Sequence, residues 1–110
     1  MSVATSTYAC RVDDVPLGEG RAITLGGRRI AIFRAAAGWF ALDAACPHRG
    51  GPLADGIVCD NAVICPLHDR RYDLATGEAL NADEPVTAHT VQLDGERVLV
   101  TIAPVEGVAA

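Results

Sequence analysis

The sequence predicts an all-β fold, an antiparallel sandwich or small barrel. Three features point there. Apolar and polar residues alternate over short runs, at the period of a strand rather than of a helix. The runs are punctuated by Gly26-Gly27, Asp60-Asn61 and Asp94-Gly95, pairs that suit tight hairpin turns. Ala35-Ala36-Ala37 has good helix propensity, but three residues are too few to nucleate a helix.

The strands follow in order. Tyr8 to Val12 alternates and is ended by Asp13, Asp14 and Pro16. Arg21 to Leu25 and Arg28 to Arg34 read as a hairpin across Gly26-Gly27, and Gly38 to Leu42 as the third member of that meander. Gly56 to Cys59 and Ala62 to Cys65 flank Asp60-Asn61 as a second hairpin. Arg71 to Leu74 is a short strand closed by the turn residues Ala75 to Glu78. Thr87 to Leu93 and Arg97 to Ile102 flank Asp94-Gly95, a strong hairpin signal. Ala103 to Ala110 has no period and is expected to fray. Cys10 and Cys59 fall inside strands and are expected to be buried as small hydrophobes. His89 is alone in its strand, a satisfied or exposed side chain. Trp39 and Phe40 are neighbours, so they should face opposite sides of their strand.

Composition narrows the function. The chain has 110 residues, enough for one domain, and half of them are apolar. Nine Lys+Arg against fourteen Asp+Glu give a net charge of -5. Such a chain is a poor binder of nucleic acid or of anionic membrane surfaces, which need clustered cations. All the cations are arginine, which with the heavy alanine use reads as compositional bias. No apolar run approaches the roughly 18 residues of a membrane-spanning helix. Met1 to Thr7 has neither the basic region nor the apolar stretch of a secretory signal. A cytoplasmic location is therefore expected, where the four cysteines suggest metal or thiol chemistry before disulfides.

Two stretches break the strand pattern, Ala44 to Ala54 and Cys65 to Arg70. The first contains Cys46-Pro47-His48-Arg49-Gly50-Gly51-Pro52-Leu53, and the second Cys65-Pro66-Leu67-His68-Asp69-Arg70. Each carries one cysteine and one histidine, spaced Cys-x-His, then sixteen residues, then Cys-x-x-His. Two thiolates and two imidazoles suit zinc, or an iron–sulfur cluster of mixed ligation. A zinc site that merely staples an interaction module is the plainer possibility. In classical zinc fingers, however, like ligands pair locally and the histidines lie on a helix. Here each loop mixes the two types, an arrangement suited to a dinuclear centre in which one iron takes both sulfurs and the other both nitrogens. Gly50 and Gly51 would let main-chain N–H groups approach cluster sulfurs, and Pro47, Pro52 and Pro66 would stiffen the loops. No nucleophile–base pair, carboxylate dyad or phosphate loop is present, so the chain alone is expected to catalyse nothing.

Cys46-Pro47-His48 with Cys65-Pro66-Leu67-His68 resembles the Rieske [2Fe–2S] signature, in which two histidines replace two cysteines on one iron. The resemblance runs from about Val12 to Ile102. It takes in Arg28 to Leu42, Gly50 to Gly56 and Tyr72 to Glu78, and within the family these segments look most like the small subunit of NADH-dependent assimilatory nitrite reductase. It implies a β-sandwich base built from both chain ends and a smaller cluster-binding subdomain over residues 43–80, all within a single domain 1–110. It implies a Rieske-type [2Fe–2S] cluster held by Cys46, His48, Cys65 and His68, with the histidines at the tip. The function implied is one-electron transfer to a large subunit carrying sirohaem and flavin, which would reduce nitrite to ammonia with NADH. The ferredoxin component of a ring-hydroxylating dioxygenase fits the same length and spacing, with an oxygenase or reductase as partner.

The chain departs from respiratory Rieske proteins. They carry an extra cysteine in each loop, forming a disulfide, where this chain has Gly50-Gly51 and Leu67. They follow the second histidine with glycine and serine, where it has Asp69 and Arg70. Fewer donors to the cluster sulfurs predict a reduction potential in the lower part of the roughly −150 to +300 mV Rieske range. Arg49, Arg70 and Arg71 crowd the motif. They form either a docking rim for an acidic partner or pairs with carboxylates such as Asp69 and Asp73.

Overall fold

Among the described residues the alternation of the sequence becomes nine short antiparallel strands. The computed structural model describes residues 6–45, 52–67 and 69–103. The strands are β1 (Ser6–Arg11), β2 (Gly20–Leu25), β3 (Arg28–Ala35), β4 (Gly38–Asp43), β5 (Ile57–Cys59), β6 (Ala62–Ile64), β7 (Arg71–Asp73), β8 (Ala88–Asp94) and β9 (Arg97–Thr101). Six of them form a sheet in the order β1-β9-β8-β4-β3-β2, and β5-β6-β7 form a second. Both chain ends thus build the large sheet, and the middle of the chain builds the small one. Strand limits fall within about two residues of those read from the sequence. The β2–β3 turn uses positive φ at Gly26 (56°) and Gly27 (83°), as a two-residue turn matched to strand twist requires.

β3 explains how the layers stack. Ile30, Ala31, Ile32 and Phe33 are all fully buried in succession, the pattern of a strand covered on both faces. Ile30 and Ile32 join Cys10, Val15, Leu25, Ala41, Val98 and Val100 in one core, enclosed by the large sheet as it curls on itself. Ala31 and Phe33 join Leu42, Ala44, Leu53, Val63, Cys65, Tyr72 and Leu74 in another, between the large sheet and the small one. Trp39 and Phe40 divide as expected, Trp39 against the first core and Phe40 against the second. No helix among the described residues is long and apolar enough to cross a membrane.

Three expectations are corrected. Cys10 is buried, but Cys59 is exposed. In the small sheet Val58, Val63 and Tyr72 line up facing the core, so the flanking row Cys59, Ala62 and Asp73 faces outward. A three-residue strand carries too little alternation to show which face is inner. Cys65 lies just past β6 rather than within it. Ala103 does not fray, because its N–H and carbonyl are both hydrogen-bonded to side chains, whereas 104–110 lie outside the described residues. Burial pushes the Cys10 thiol pKa up, and the Asp14 carboxylate adds to the effect, so little reactive thiolate is present there. In the native protein Cys59 is expected to be alkylated within minutes and Cys10 only on unfolding, read by peptide mass spectrometry. Equal labelling of the two would contradict the register of β5.

Candidate metal centre

Cys65 is the one expected ligand within the described residues; Cys46, His48 and His68 lie outside them, as do Arg49, Gly50 and Gly51. What the structure does show is how the two motif segments are rooted. The first leaves the large sheet at the end of β4 and returns at Pro52. Its stems are clamped together: Ala45 and Pro52 form an antiparallel bridge, and the Leu53 N–H donates to the Ala44 carbonyl at 3.0 Å. The second segment is closed in the same way. The Cys65 N–H donates to the Arg70 carbonyl at 2.7 Å, and the Asp69 N–H to the Cys65 carbonyl at 3.1 Å.

The two roots share a core. Ala44, Leu53 and Cys65 pack in the same buried cluster, with Cys65 only 1% exposed. A cysteine thus stands at the mouth of a tight loop, beside the stem of the segment that carries the other Cys-x-His pair. The donor chemistry and the paired loops fit a [2Fe–2S] group of mixed ligation.

Asp69 shapes the closure of the second loop. Its φ is 55°, the left-handed region that glycine enters freely and that aspartate and asparagine tolerate best among the rest. Asp69 therefore makes, without glycine, a turn of the kind glycine makes most readily. Asp69 is held in place by Asn81, whose Nδ2 donates to its carbonyl at 3.0 Å while Asn81 Oδ1 accepts the Arg71 N–H at 2.8 Å.

Arg70 and Arg71 make no ion pair with the carboxylates proposed for them, Asp69 and Asp73, among the described residues. The Asp73 carboxylate instead accepts the Ala75 and Thr76 N–H groups in the turn after β7. Arg71 is exposed, whereas Arg70 Nε is buried with no hydrogen-bond partner among the described residues. Large apolar side chains are exposed on the same unit: Ile57 at 68%, Leu67 at 52% and Leu80 at 52%.

Sequence reading missed one cluster near this site. Arg28, Asp43 and His89 meet at the end of β4. They are up to 61 residues apart, so no local motif could have announced them.

Comparison with known proteins decides the family. The Rieske [2Fe–2S] domain profile matches residues 5–102. The chain belongs to the Rieske [2Fe–2S] domain family. The cofactor of this Rieske protein is a [2Fe–2S] cluster, and its role is electron transfer. It is 34% identical over 98 residues to the 3-phenylpropionate/cinnamic acid dioxygenase ferredoxin subunit of Escherichia coli K12, spanning 86% of this chain and 92% of that one. The fold is similar to the ferredoxin of carbazole 1,9a-dioxygenase from Nocardioides aromaticivorans IC177, with a TM-score of 0.80 and 28% identity over 89% of this chain and 98% of that one. It is also similar to a Mycobacterium tuberculosis protein assigned as an NADH-dependent nitrite reductase small subunit, with a TM-score of 0.86 and 25% identity over 94% of this chain and the whole of the other.

Proposed function

We propose that this Rieske protein is a ferredoxin component that carries single electrons to an oxygenase. The observation that carries the reading is the 34% identity along 92% of a dioxygenase ferredoxin subunit. Cys46, His48, Cys65 and His68 hold the cluster, presented by the unit over residues 43–80. The cluster supplies a one-electron couple. The residues around it exclude water from Cys65, hold the loops closed and offer a surface to the partner. That surface combines Arg71, exposed at the start of β7 and without an ion pair among the described residues, with the exposed apolar Leu67 of the second loop. An acidic, partly apolar patch on the partner is its complement.

A second reading keeps the same cluster and changes the partner: the small subunit of an NADH-dependent nitrite reductase, bound to a sirohaem- and flavin-bearing large subunit. It is favoured by the TM-score of 0.86 along the whole of the Mycobacterium tuberculosis chain and by the likeness of the loop-flanking segments.

Affinity capture of the tagged chain from its own cells grown on nitrite separates the two. A red-brown protein that arrives without sirohaem and supports turnover of an added Rieske oxygenase fits the first reading. Sirohaem absorption with NADH-dependent nitrite reduction in the captured complex overturns it in favour of the second. With either partner, Arg71→Glu is expected to slow electron transfer about tenfold or more at low salt while leaving thermal stability nearly unchanged. An unchanged rate would remove Arg71 from the docking surface.

A further inference from the structure

The root of the first ligand segment is fastened by a ring of polar contacts. Asp43 is the last residue of β4, three positions before Cys46. Its Oδ1 accepts hydrogen bonds from Arg28 Nη2 at 3.0 Å and from His89 Nε2 at 2.8 Å. The Ala103 N–H donates to His89 Nδ1 at 2.9 Å. Nδ1 is therefore the bare nitrogen and Nε2 carries the proton, so the imidazole is neutral. Arg28 Nη1 closes the ring by donating to the Ala103 carbonyl at 2.9 Å. The start of β3, the end of β4, β8 and the residue after Ile102 are joined in this way, around a His89 side chain that is 0% exposed.

The ring is electrically balanced, with one carboxylate, one guanidinium and a neutral imidazole. Asp43 lies opposite Ile30, and His89 opposite Ala41, so the ring caps the end of the core inside the large sheet. An apolar plug could cap that core as well, and replacing buried ionic groups by well-packed apolar ones is often neutral or stabilising. Directional bonds add a fixed position for the Asp43 backbone. That backbone leads straight into the clamp already described. The Asp43 N–H donates to the Thr87 carbonyl at 2.9 Å and the Ala44 N–H to the Arg29 carbonyl at 3.0 Å, while the Ala44 carbonyl accepts the Leu53 N–H.

We propose that Arg28, Asp43 and His89 are positioning residues for electron transfer: they fix the point from which Cys46 and His48 are presented, and through it the ligand geometry of the cluster. The inference rests on the ligand set proposed above. Groups that orient metal ligands from behind are worth about 10–100-fold in metal affinity, and this ring acts at the lower end of that range because it works through backbone.

The test uses the full chain reconstituted with iron and sulfide, with three readouts: iron release to a chelator, the EPR spectrum of the reduced protein, and the midpoint potential. Asp43→Ala and His89→Phe are expected to release iron about tenfold faster and to shift both spectrum and potential. Asp43→Asn keeps an acceptor oxygen for both donors and is expected to retain the wild-type spectrum. Glu96→Gln, which breaks the exposed Arg11–Glu96 pair, controls for loss of an ion pair elsewhere. If Asp43→Ala does not fold, Arg28→Gln and His89→Phe carry the comparison, Arg28 being part-exposed at 28%. Folded Asp43→Ala (or Arg28→Gln) and His89→Phe chains with wild-type release rate, spectrum and potential would overturn the positioning role and leave a core cap. A wild-type chain that takes up no Rieske-type cluster would instead overturn the ligand reading.

Discussion

Cys65→Ala is expected to abolish the cluster. The variant should purify colourless, without bound iron and without an EPR signal on reduction, while its far-ultraviolet circular dichroism stays that of a β protein. The physical case rests on burial and placement. Cys65 is 1% exposed and stands where the second loop closes on itself. A thiolate ligand has no substitute there, because alanine offers no lone pair and the exposed Cys59 faces the other side of the small sheet. Loss of a small sulfur atom from a core that also contains Phe33, Leu42, Leu53, Tyr72 and Leu74 leaves the fold standing, at a cost of about 1–2 kcal/mol. Cys59→Ala should retain the full cluster. Visible absorption that survives in Cys65→Ala would refute its role as a ligand.

Gly77→Ala is expected to be the most damaging glycine-to-alanine change among the described residues. Gly77 has a φ of 78°, already unfavourable for alanine. A Cβ there would also lie far inside van der Waals contact distance of the Val86 carbonyl oxygen. That neighbour cannot move aside. The Val86 N–H donates to the Gly77 carbonyl at 2.9 Å, and the Gly77 N–H donates to the Asp73 carbonyl at 2.8 Å. The contact ties the turn after β7 to the segment that leads into β8, and so ties the small sheet to the large one. The expected loss is about 3 kcal/mol or more, a fall in Tm of roughly 10 °C for a domain of this size. Gly95→Ala is the control, with a φ of 63° but no atom within 4 Å of the added methyl, so it should cost only about 1 kcal/mol. Equal effects of the two would show that backbone conformation, not the close approach, sets the cost.

The contrast between local and distant features explains what the sequence made legible. Strands and turns were readable because each is specified over a few neighbouring residues, Gly26-Gly27 for one hairpin and the alternation of Arg28 to Arg34 for its second strand. The Cys-x-His and Cys-x-x-His pairs were readable for the same reason. The double burial of β3 left a trace in the unbroken apolar run from Ile30 to Phe33, but alternation alone does not say what covers each face. The outward turn of Cys59 depends on the register of β5 against β6 and β7, which three residues cannot encode. The ring of Arg28, Asp43, His89 and Ala103 depends on four segments brought together by the sheet order, and no window of sequence contains it. The left-handed turn at Asp69 comes from the closure of the second loop on Cys65, which the residue type alone does not announce.

In the proposed ligand set one iron of the cluster carries two histidine nitrogens and the other two cysteine sulfurs. Electron–nuclear double resonance on the reduced protein, grown with and without 15N-histidine, tests it most directly. Two strongly coupled histidine nitrogens are expected, with signals that shift with the label, one of them lost in His48→Cys or His68→Cys and both retained in His89→Phe. A reduced protein without strongly coupled histidine nitrogens, or a colourless one that binds zinc, would contradict it.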